Sequence, residues 1–486
     1  VLDAVIIGSG FGGLGAALSL AERGARVGLC ETLKYPGGCA GTFRRDGYAF
    51  EAGATLFSGL AQQQVFGRVA ARHGLSYSVD WLDPVLTLRT ASFTLPVPRE
   101  RERLVQRMQA LMPHKAEAVQ RFFVLQAAVA DVLWSLFDSP QLLPPFGAGN
   151  LLQHLLRSPH YLPLLPLIGK PLGGLLARLG FSREDPLYTF ARAACQITVQ
   201  CDAALAEAPF ALAAMDYFFR GTGHIRGGIG QLASALLGAV QKQGGLVHLG
   251  NRARSIVAET DGYLVRCAKH DLRGRSVVAN LVPAALTELC GGSGPPALDG
   301  LTERVQGGYG AVMLYRVIAQ HPELPEAPFH LELVDDARAP FETGNHVFAS
   351  VSGCDETERA PAGQRTITIS THVSIPALRA LSEREQAAWV AEIQARMRAT
   401  LQKRAPELDQ RVLHEITASP RTFARFTGRP EGLVGGIPRT AGLHNYAQLG
   451  PFEAARGLYL VGDSVFPGQS TLATFLSGAR TAEAIP

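Results

Sequence analysis

Residues Ala4–Glu31 read AVIIGSGFGGLGAALSLAERGARVGLCE. Ala4–Ile7 is a short apolar run of the kind that forms a buried parallel strand. Gly8, Gly10 and Gly13 follow with the spacing G-x-G-x-x-G. The first glycine permits a tight turn. The second lets the backbone approach a pyrophosphate, and the third lets a helix pack against the strand. Leu14–Arg23 has helical spacing, with Leu14, Ala17, Leu18 and Ala21 on one face, and Gly24 stops it. The N-terminus of this helix offers free N–H groups and a positive dipole end to phosphates, and Phe11 and Gly12 of the glycine loop count among the candidate cofactor contacts. Arg26–Cys30 reads as a second strand, closed by Glu31, 18 positions after Gly13. A carboxylate there accepts both ribose hydroxyls and repels a 2′-phosphate, so NADP is disfavoured. Strand, helix, strand and acid together predict a dinucleotide-binding unit. A purely structural glycine turn would leave Glu31 unexplained.

The identity of the dinucleotide comes from further along. Just after Glu31 and Thr32, the stretch YPGGCAGTF (35–43) is too rich in glycine for a simple crossover. It presents Gly38 and Cys39 to a cofactor, and Thr42 is placed to reach a phosphate. FEAGAT (50–55) is again small and glycine-bearing, as backbone beside a flat ring requires, which nominates Gly53, Ala54 and Thr55. At the far end, GLYLVGDSVFPGQSTLATFLSGARTAEAI (457–485) reads as a strand, a Gly462-Asp463 turn and a helix from Thr471. Asp463 suits a ribityl hydroxyl. The helix start, with Thr471, Leu472 and Ala473, suits the pyrimidine end of a flavin, where a dipole stabilises the anion formed on reduction. An NAD-only enzyme has no use for such a return. The expected cofactor is FAD, held without a covalent bond, and no metal site is expected.

These blocks carry a family resemblance. The two ends, with ETLKYPGG (31–38) and GLYLVGDS (457–464), resemble the FAD-dependent amine oxidase and phytoene desaturase superfamily. RGGIGQLASALLGAVQKQGGLVHLGNRARSIV (226–257) looks like the family's Gly-Gly turn, helix and strand that close over the adenine. The resemblance implies that backbone near Ala253 contacts that ring. SPRTFARFTGRPEGLVGGIPRT (419–440) resembles the bacterial carotenoid desaturase and isomerase branch, nearest to the carotenoid 3,4-desaturase (hydroxyneurosporene desaturase) type. Two positions depart from the pattern. Cys39 stands where many relatives have Arg beside the pyrophosphate. Phe466 stands where the nearest relatives often carry His, which leaves open desaturation, cis-trans isomerisation or saturation.

The implied fold is α/β: a Rossmann-type FAD-binding domain from residues 1–95, 221–291 and 451–486, with an α+β substrate domain over 292–450. In the latter, Val312–Ile318, Val347–Val351 and Thr366–Val373 read as strands of one sheet, and Glu383–Ala405 has helical periodicity. The region 96–220 is helical and apolar. Within it Leu151–Gly180 is leucine-rich, broken by Pro159, Pro163, Pro166 and Pro171 and dotted with Arg157, Lys170 and Arg178. Prolines and cations interrupt it before about 20 clean residues accumulate, so it does not span a bilayer as one helix. Short apolar helices flanked by cations suit an interfacial anchor, and the same leucines also suit an internal core or a dimer contact.

Composition narrows the function classes. The 486 residues carry a net charge of +4, too small to argue for nucleic acid, and 47% are apolar. Seven scattered cysteines form no C-x-x-C, and the histidines show no zinc spacing, which fits a reducing cytoplasm. The first residues read as a strand rather than a charged and then apolar leader. A cytoplasmic, peripherally membrane-associated protein is the expectation. No Lys occurs between Lys269 and Lys403, across most of the expected sheet, whereas amine oxidases of the superfamily generally carry one near the flavin. The expected activity is desaturation of an apolar polyene, a carotenoid, by hydride transfer to flavin N5. A carotenoid isomerase or saturase, a soluble amine or amino-acid oxidase, and a non-catalytic flavin-binding scaffold are the alternatives. No acid or base is nominated. His224, Asp216 and Arg192 lie in suitable territory but read first as structural, and Tyr446, Phe466 and Phe475 first as packing.

Overall fold

Leu2–Ile7 (β1) and Val27–Glu31 (β2) lie side by side in parallel, Ala4 opposite Val27 and Ile7 opposite Cys30. The structure, a computed structural model, describes residues 1–486, apart from the side chain of Ala148. Both strands are apolar throughout because both faces of a parallel sheet are covered. Leu246–Leu249 joins β2, Leu272–Ala279 joins β1, and Leu458–Leu460 joins Leu272–Ala279, all in parallel. One sheet is thus assembled from the start, the middle and the end of the chain. Ala253–Glu259, Gly262–Cys267 and Phe452–Ala455 extend it with antiparallel partners.

The helix Phe11–Glu22 follows β1 and begins three residues before the expected Leu14. The terminal helix Thr471–Ala484 packs directly on it. A Cβ on Gly478 would stand 1.8 Å from the carbonyl oxygen of Gly12, and one on Gly15 2.2 Å from that of Phe475. The two backbones therefore touch, and no residue larger than glycine fits either place.

The second sheet runs Val412–Ala418, Tyr309–Ala319 (β3), Gln364–Ser374 (in the centre), His346–Val351, Phe329–Val334, Leu86–Arg89 and Thr94–Val97. In chain order Phe329–Val334 is β4, His346–Val351 is β5 and Gln364–Ser374 is β6. Leu86–Arg89 pairs in parallel with β4. Residues 86–95, expected with the cofactor domain, thus complete the other sheet together with Pro96 and Val97. One sheet face carries Val312, Leu314, Ile318, Leu331, Leu333, Val347, Ala349, Ile367 and Ile369. This face packs on Ile393, Met397 and Leu401 of the helix Glu383–Arg404. The opposite face is mostly polar and turns inward.

Helices between 101 and 215 form a third layer over that polar face. Ala116–Asp138 is the backbone of this layer. By length and hydropathy the segment Pro113–Asp138 passes as a membrane span, but 44% of its most apolar window is buried, and Val119, Phe122, Phe123 and Val129 belong to the core. The leucine-rich stretch divides. Leu151, Leu152, Leu155, Leu156, Leu162 and Leu165 are between 55% and 72% exposed, whereas Leu167, Leu172, Leu175 and Leu176 are core.

The helix–helix contact generates a prediction. Gly478→Ala forces two backbones apart, an overpacking cost of about 1–3 kcal/mol or more, and lowers both the melting temperature and flavin content. Gly238→Ala, in the interior of the helix Gly230–Lys242 with open space at its Cβ, removes backbone freedom from the unfolded chain. It raises stability by about 0.5–1 kcal/mol. Thermal melts of the two variants check the contrast.

Candidate functional site

A cavity of about 650 Å³ runs between the two sheets, continuous from Glu31 to the polar face of β3–β6. At one end Glu31 closes β2 and lies buried. Its Oε2 accepts from the backbone N–H of Ser9 at 2.7 Å and from the Ser9 hydroxyl at 2.8 Å, and its Oε1 accepts from Leu33 N–H at 2.8 Å. The carboxylate thus braces the glycine loop as well as facing the cavity with Thr32, Arg252 and Ala253. Arg252 and Glu288 are exposed there, so this end opens to solvent.

Next comes a floor without side chains. A Cβ on Gly10 would meet Asn280 Nδ2 at 2.4 Å, one on Gly12 Asn280 Oδ1 at 2.6 Å, and one on Gly462 the same oxygen at 2.9 Å. The glycine loop, Asn280 and the Gly462 turn therefore converge, and glycine is required because this strip is where a pyrophosphate must approach backbone. Asn280 was not legible beforehand; it arrives at the end of the strand Leu272–Ala279. Gly8, Gly10, Phe11, Gly12, Gly38, Cys39, Gly53, Ala54, Thr55, Ala253, Gly462, Asp463, Thr471 and Ala473 all line the cavity.

Three expected contacts lie off it. Gly13 is under the loop, where a Cβ would sit 2.0 Å from Gly8 O, so its role is helix–strand packing. Thr42 does not reach the cavity: its hydroxyl accepts from Gly230 N–H at 2.8 Å and fastens the helix Gly230–Lys242 to the antiparallel pair Thr42–Arg45 and Tyr48–Glu51. Leu472 is buried on the reverse side of the terminal helix, against Gly59.

At the far end the 429–436 segment supplies what sequence reasoning missed. Arg429 donates to Asp463 Oδ2 at 2.5 Å and to the carbonyl of Gly435 at 3.1 Å. A Cβ on Gly436 would collide with Asp463 O at 1.7 Å. The Gly435-Gly436 pair is therefore there to let this segment press on the Asp463 turn. Arg429 also faces the Cys39 thiol, which burial pushes up. A cation absent at position 39 thus reaches the same place from another segment. Ser470 caps the terminal helix, its hydroxyl accepting from Ala473 N–H at 3.0 Å, with φ at +110°. Gln200, another cavity residue, has φ at +50° and a buried Oε1 with no partner. Left-handed backbone at non-glycine residues costs about 1–3 kcal/mol and concentrates at functional sites.

Beyond the cofactor strip, Leu133, Leu136, Phe137, Leu143, Phe210 and Tyr446 make an apolar wall, and next to it the Leu142 carbonyl accepts from His154 of the leucine-rich stretch at 2.8 Å. Met313, Phe348, Ser370 and His372 make the inner end. Among the described residues no lysine lines the cavity. Phe466 lines it too, whereas Phe475 packs away from it on Phe66. Burial pushes His372 down to about 4 and His346 behind it to about 3, so both are neutral at physiological pH. Asp216 is locked by Arg101 at 2.9 Å, Arg220 and Gln126, and Arg192 by Asp202 at 2.8 Å, while His224 donates toward Glu356 at 2.8 Å. None of the three lines the cavity.

The flavin-containing amine oxidoreductase model matches residues 11–486. The chain belongs to that family. This oxidoreductase is 28% identical over 517 aligned positions to the chloroplastic prolycopene isomerase of Arabidopsis thaliana, covering 99% of this chain and 82% of that one. It is 24% identical to human all-trans-retinol 13,14-reductase, over 54% of this chain and 43% of that one. In fold it superposes on an oxidoreductase from Methanosarcina mazei with a TM-score of 0.66 at 18% identity, covering 99% and 100% of the two chains. The cofactor is FAD. The side-chain-free strip, the bare helix start and the flanking carboxylates fit it, and once bound it supplies a two-electron, hydride-accepting ring.

Three outcomes follow for this flavoenzyme. Glu31→Ala loses charge-assisted bonds and the brace on Ser9, weakening FAD retention by about 1.5–3 kcal/mol. Arg429→Met leaves the mostly buried Asp463 carboxylate without its partner, a loss of about 1–3 kcal/mol that Arg429→Lys restores in part. Flavin release followed by fluorescence during dialysis reads both. Stability also falls as pH drops below about 6.5. There the unfolded chain protonates its histidines, while His372 and His346 stay neutral in the fold. The unfolded state binds more protons, so stability rises with pH across this window, by about 2–3 kcal/mol per histidine between pH 4 and 6.5. Melting curves across that range, with the acid limb flattened in His346→Phe, test it.

Proposed function

We propose that this FAD enzyme is a carotenoid desaturase, working on an apolar polyene at a cytoplasmic membrane surface. The observation that carries the reading is the wall of the cavity beyond the cofactor strip: Leu133, Leu136, Phe137, Leu143 and Phe210, with no lysine among the described residues. A long hydrocarbon offers almost nothing to hydrogen-bond, so burial of apolar area must hold it. Charge along the reacting polyene is delocalised, so a strong base at the reacting carbon is unnecessary. The similarity to prolycopene isomerases over nearly the whole chain supports a carotenoid-type substrate, and it favours cis-trans isomerisation as the second reading. Similarity to retinol reductases keeps saturation as a third.

Expression in cells that accumulate different carotenes separates the readings by pigment absorption and mass. A desaturase lengthens the chromophore and removes two hydrogens. An isomerase leaves the mass unchanged, and a saturase adds two hydrogens. Pigments that match the empty-vector control in every strain, together with oxidation of amines by the purified protein, would sink the polyene reading in favour of an amine oxidase. No turnover of either, with FAD retained, would point to a scaffold.

Membrane association has its own test. Lys170 and Arg178 are exposed, while Arg157 is half-buried and donates to the Ser135 hydroxyl at 2.7 Å. Each cation at an anionic surface adds about 1 kcal/mol. Neutralising all three weakens liposome co-sedimentation mainly at low salt, where screening is least. Leu155→Ser, Leu156→Ser and Leu165→Ser together, at exposed positions, weaken it at every salt concentration without lowering the melting temperature. Unchanged binding by the folded leucine variant would remove the membrane from the reading.

A further inference from the structure

Across the inward face of the second sheet, one row of side chains is fixed by strand register. Met313 pairs with Ser370, Ser370 with Phe348, and Phe348 with Glu332. The first three line the cavity, and Glu332 is the next side chain along. It is fully buried, and neither of its carboxyl oxygens has a partner. Tyr217, which lines the cavity, lies close enough for the carboxyl to act on its phenol.

The neighbouring row holds Tyr315, Thr368, Ser350 and His330. His330 is fully buried with both ring nitrogens unpartnered, and the Thr368 hydroxyl is unpartnered too. Two residues apart on one strand, His330 and Glu332 point to the same side at about 6–7 Å, a gap that one water bridges. His330 faces His224, ring centroids 5.5 Å apart, and His224 has a free buried Nδ1. His224 Nε2 meets Glu356 at 2.8 Å, and Glu356 also accepts from Gly227 N–H at 2.9 Å and Gly353 N–H at 2.6 Å. Beside them the buried Arg359 guanidinium has no hydrogen-bond acceptor and lies 3.6 Å from Glu51. The next residues outward are Asp355 and Arg226, paired at 2.8 Å, with the Asp355 side chain 63% exposed.

Buried polar groups are almost always satisfied, by protein or by ordered water. A run of unpartnered nitrogens and oxygens between a cavity wall and the surface is a polar seam whose groups call for ordered water. We propose that this seam is a proton path, with Glu332 at its inner end and Asp355–Arg226 at its mouth, that carries protons between the cavity and solvent. Burial pushes Glu332 up to about 8, so it holds its proton at neutral pH. Burial also raises Glu356, but His224 and Arg359 outweigh this and hold it at about 2, a fixed anion in the middle of the seam. The groups facing this seam are Tyr217, Glu51, His224, His330, Glu356 and Arg359.

The use of the path rests on the polyene reading. In a dehydrogenation two C–H bonds break and one C=C bond forms. Bound FAD would supply the acceptor for the hydride, and the proton enters the seam, where Glu332 releases its own proton outward as it takes the new one. Saturation runs the same path inward.

The path is tested on the purified flavoprotein without any substrate. Infrared spectra at neutral pH show the carbonyl stretch of a protonated carboxyl that Glu332→Gln removes. On rapid dilution into D2O that band shifts within seconds in the wild type. His330→Phe slows the shift by roughly ten-fold or more, since one missing link interrupts a water-bridged chain. If His330→Phe fails to fold, Thr368→Val, which removes a single hydroxyl at constant shape, slows it in the same sense. Absence of the band, exchange as slow as global unfolding, or equal rates in wild type and blocked variant would each overturn the path. A second arm uses carotene turnover in D2O. Normal conversion by Glu332→Gln overturns the proton role and leaves the substrate reading intact. Fast, seam-dependent exchange in a wild type that converts no polyene supports the path and sinks the substrate reading instead.

Discussion

The contact between Gly12 and Gly478 holds this molecule's working parts together. With 1.8 Å separating the Gly12 oxygen from where a Gly478 Cβ would be, the first and last helices lie backbone on backbone. That closeness brings the 462–474 segment over the glycine loop. It also sets Gly462 against Asn280 and aims the start of the terminal helix into the cavity. Dispersion at such short range is strong for its area and unforgiving of extra atoms. The cofactor site is therefore a by-product of helix packing as much as of any single ligand residue.

Local signals reveal what local physics decides. The glycine spacing, the apolar runs of β1 and β2, and Glu31 were legible because each is set by a few neighbouring residues. So were the helix Glu383–Arg404 and three strands of the second sheet, at 312–318, 347–351 and 366–373, whereas Phe329–Val334 and Val412–Ala418 were not. Other features depend on partners hundreds of residues away. Asn280 under the glycines, Arg429 on Asp463 and residues 86–97 on the second sheet have no period or spacing that announces them. Thr42 shows the opposite error. A threonine after a glycine-rich loop reads as a phosphate ligand, yet its hydroxyl is spent on Gly230. The leucine stretch read as one feature because composition does not say which leucines face inward. Leu167 and Leu175 do, and Leu155 and Leu165 do not.

The second sheet concentrates the chemistry by dividing its two faces. The face toward Glu383–Arg404 is closed and apolar, which fixes the strands rigidly. The inward face can then carry Ser370, His372, Glu332 and His330 without threatening the fold, since hydrophobic burial on the other side offsets the cost of their desolvation. Neutral histidines and a protonated carboxyl are what such a face can tolerate at physiological pH. It carries no lysine ammonium, a group far costlier to bury.

The gap in sequence between Gly12 and Gly478 also orders the protein's birth. More than four hundred residues separate the two glycines. At about 5–20 residues per second the ribosome makes the loop roughly 20–90 s before it makes the helix that seats upon it. During that interval the cavity walls from Ala116–Asp138 and Ala208–Met215 have already emerged, apolar and without their cover. The full cofactor strip is consequently assembled only once residues 462–484 have been made. Until then those helices present apolar surface that the later segments cover.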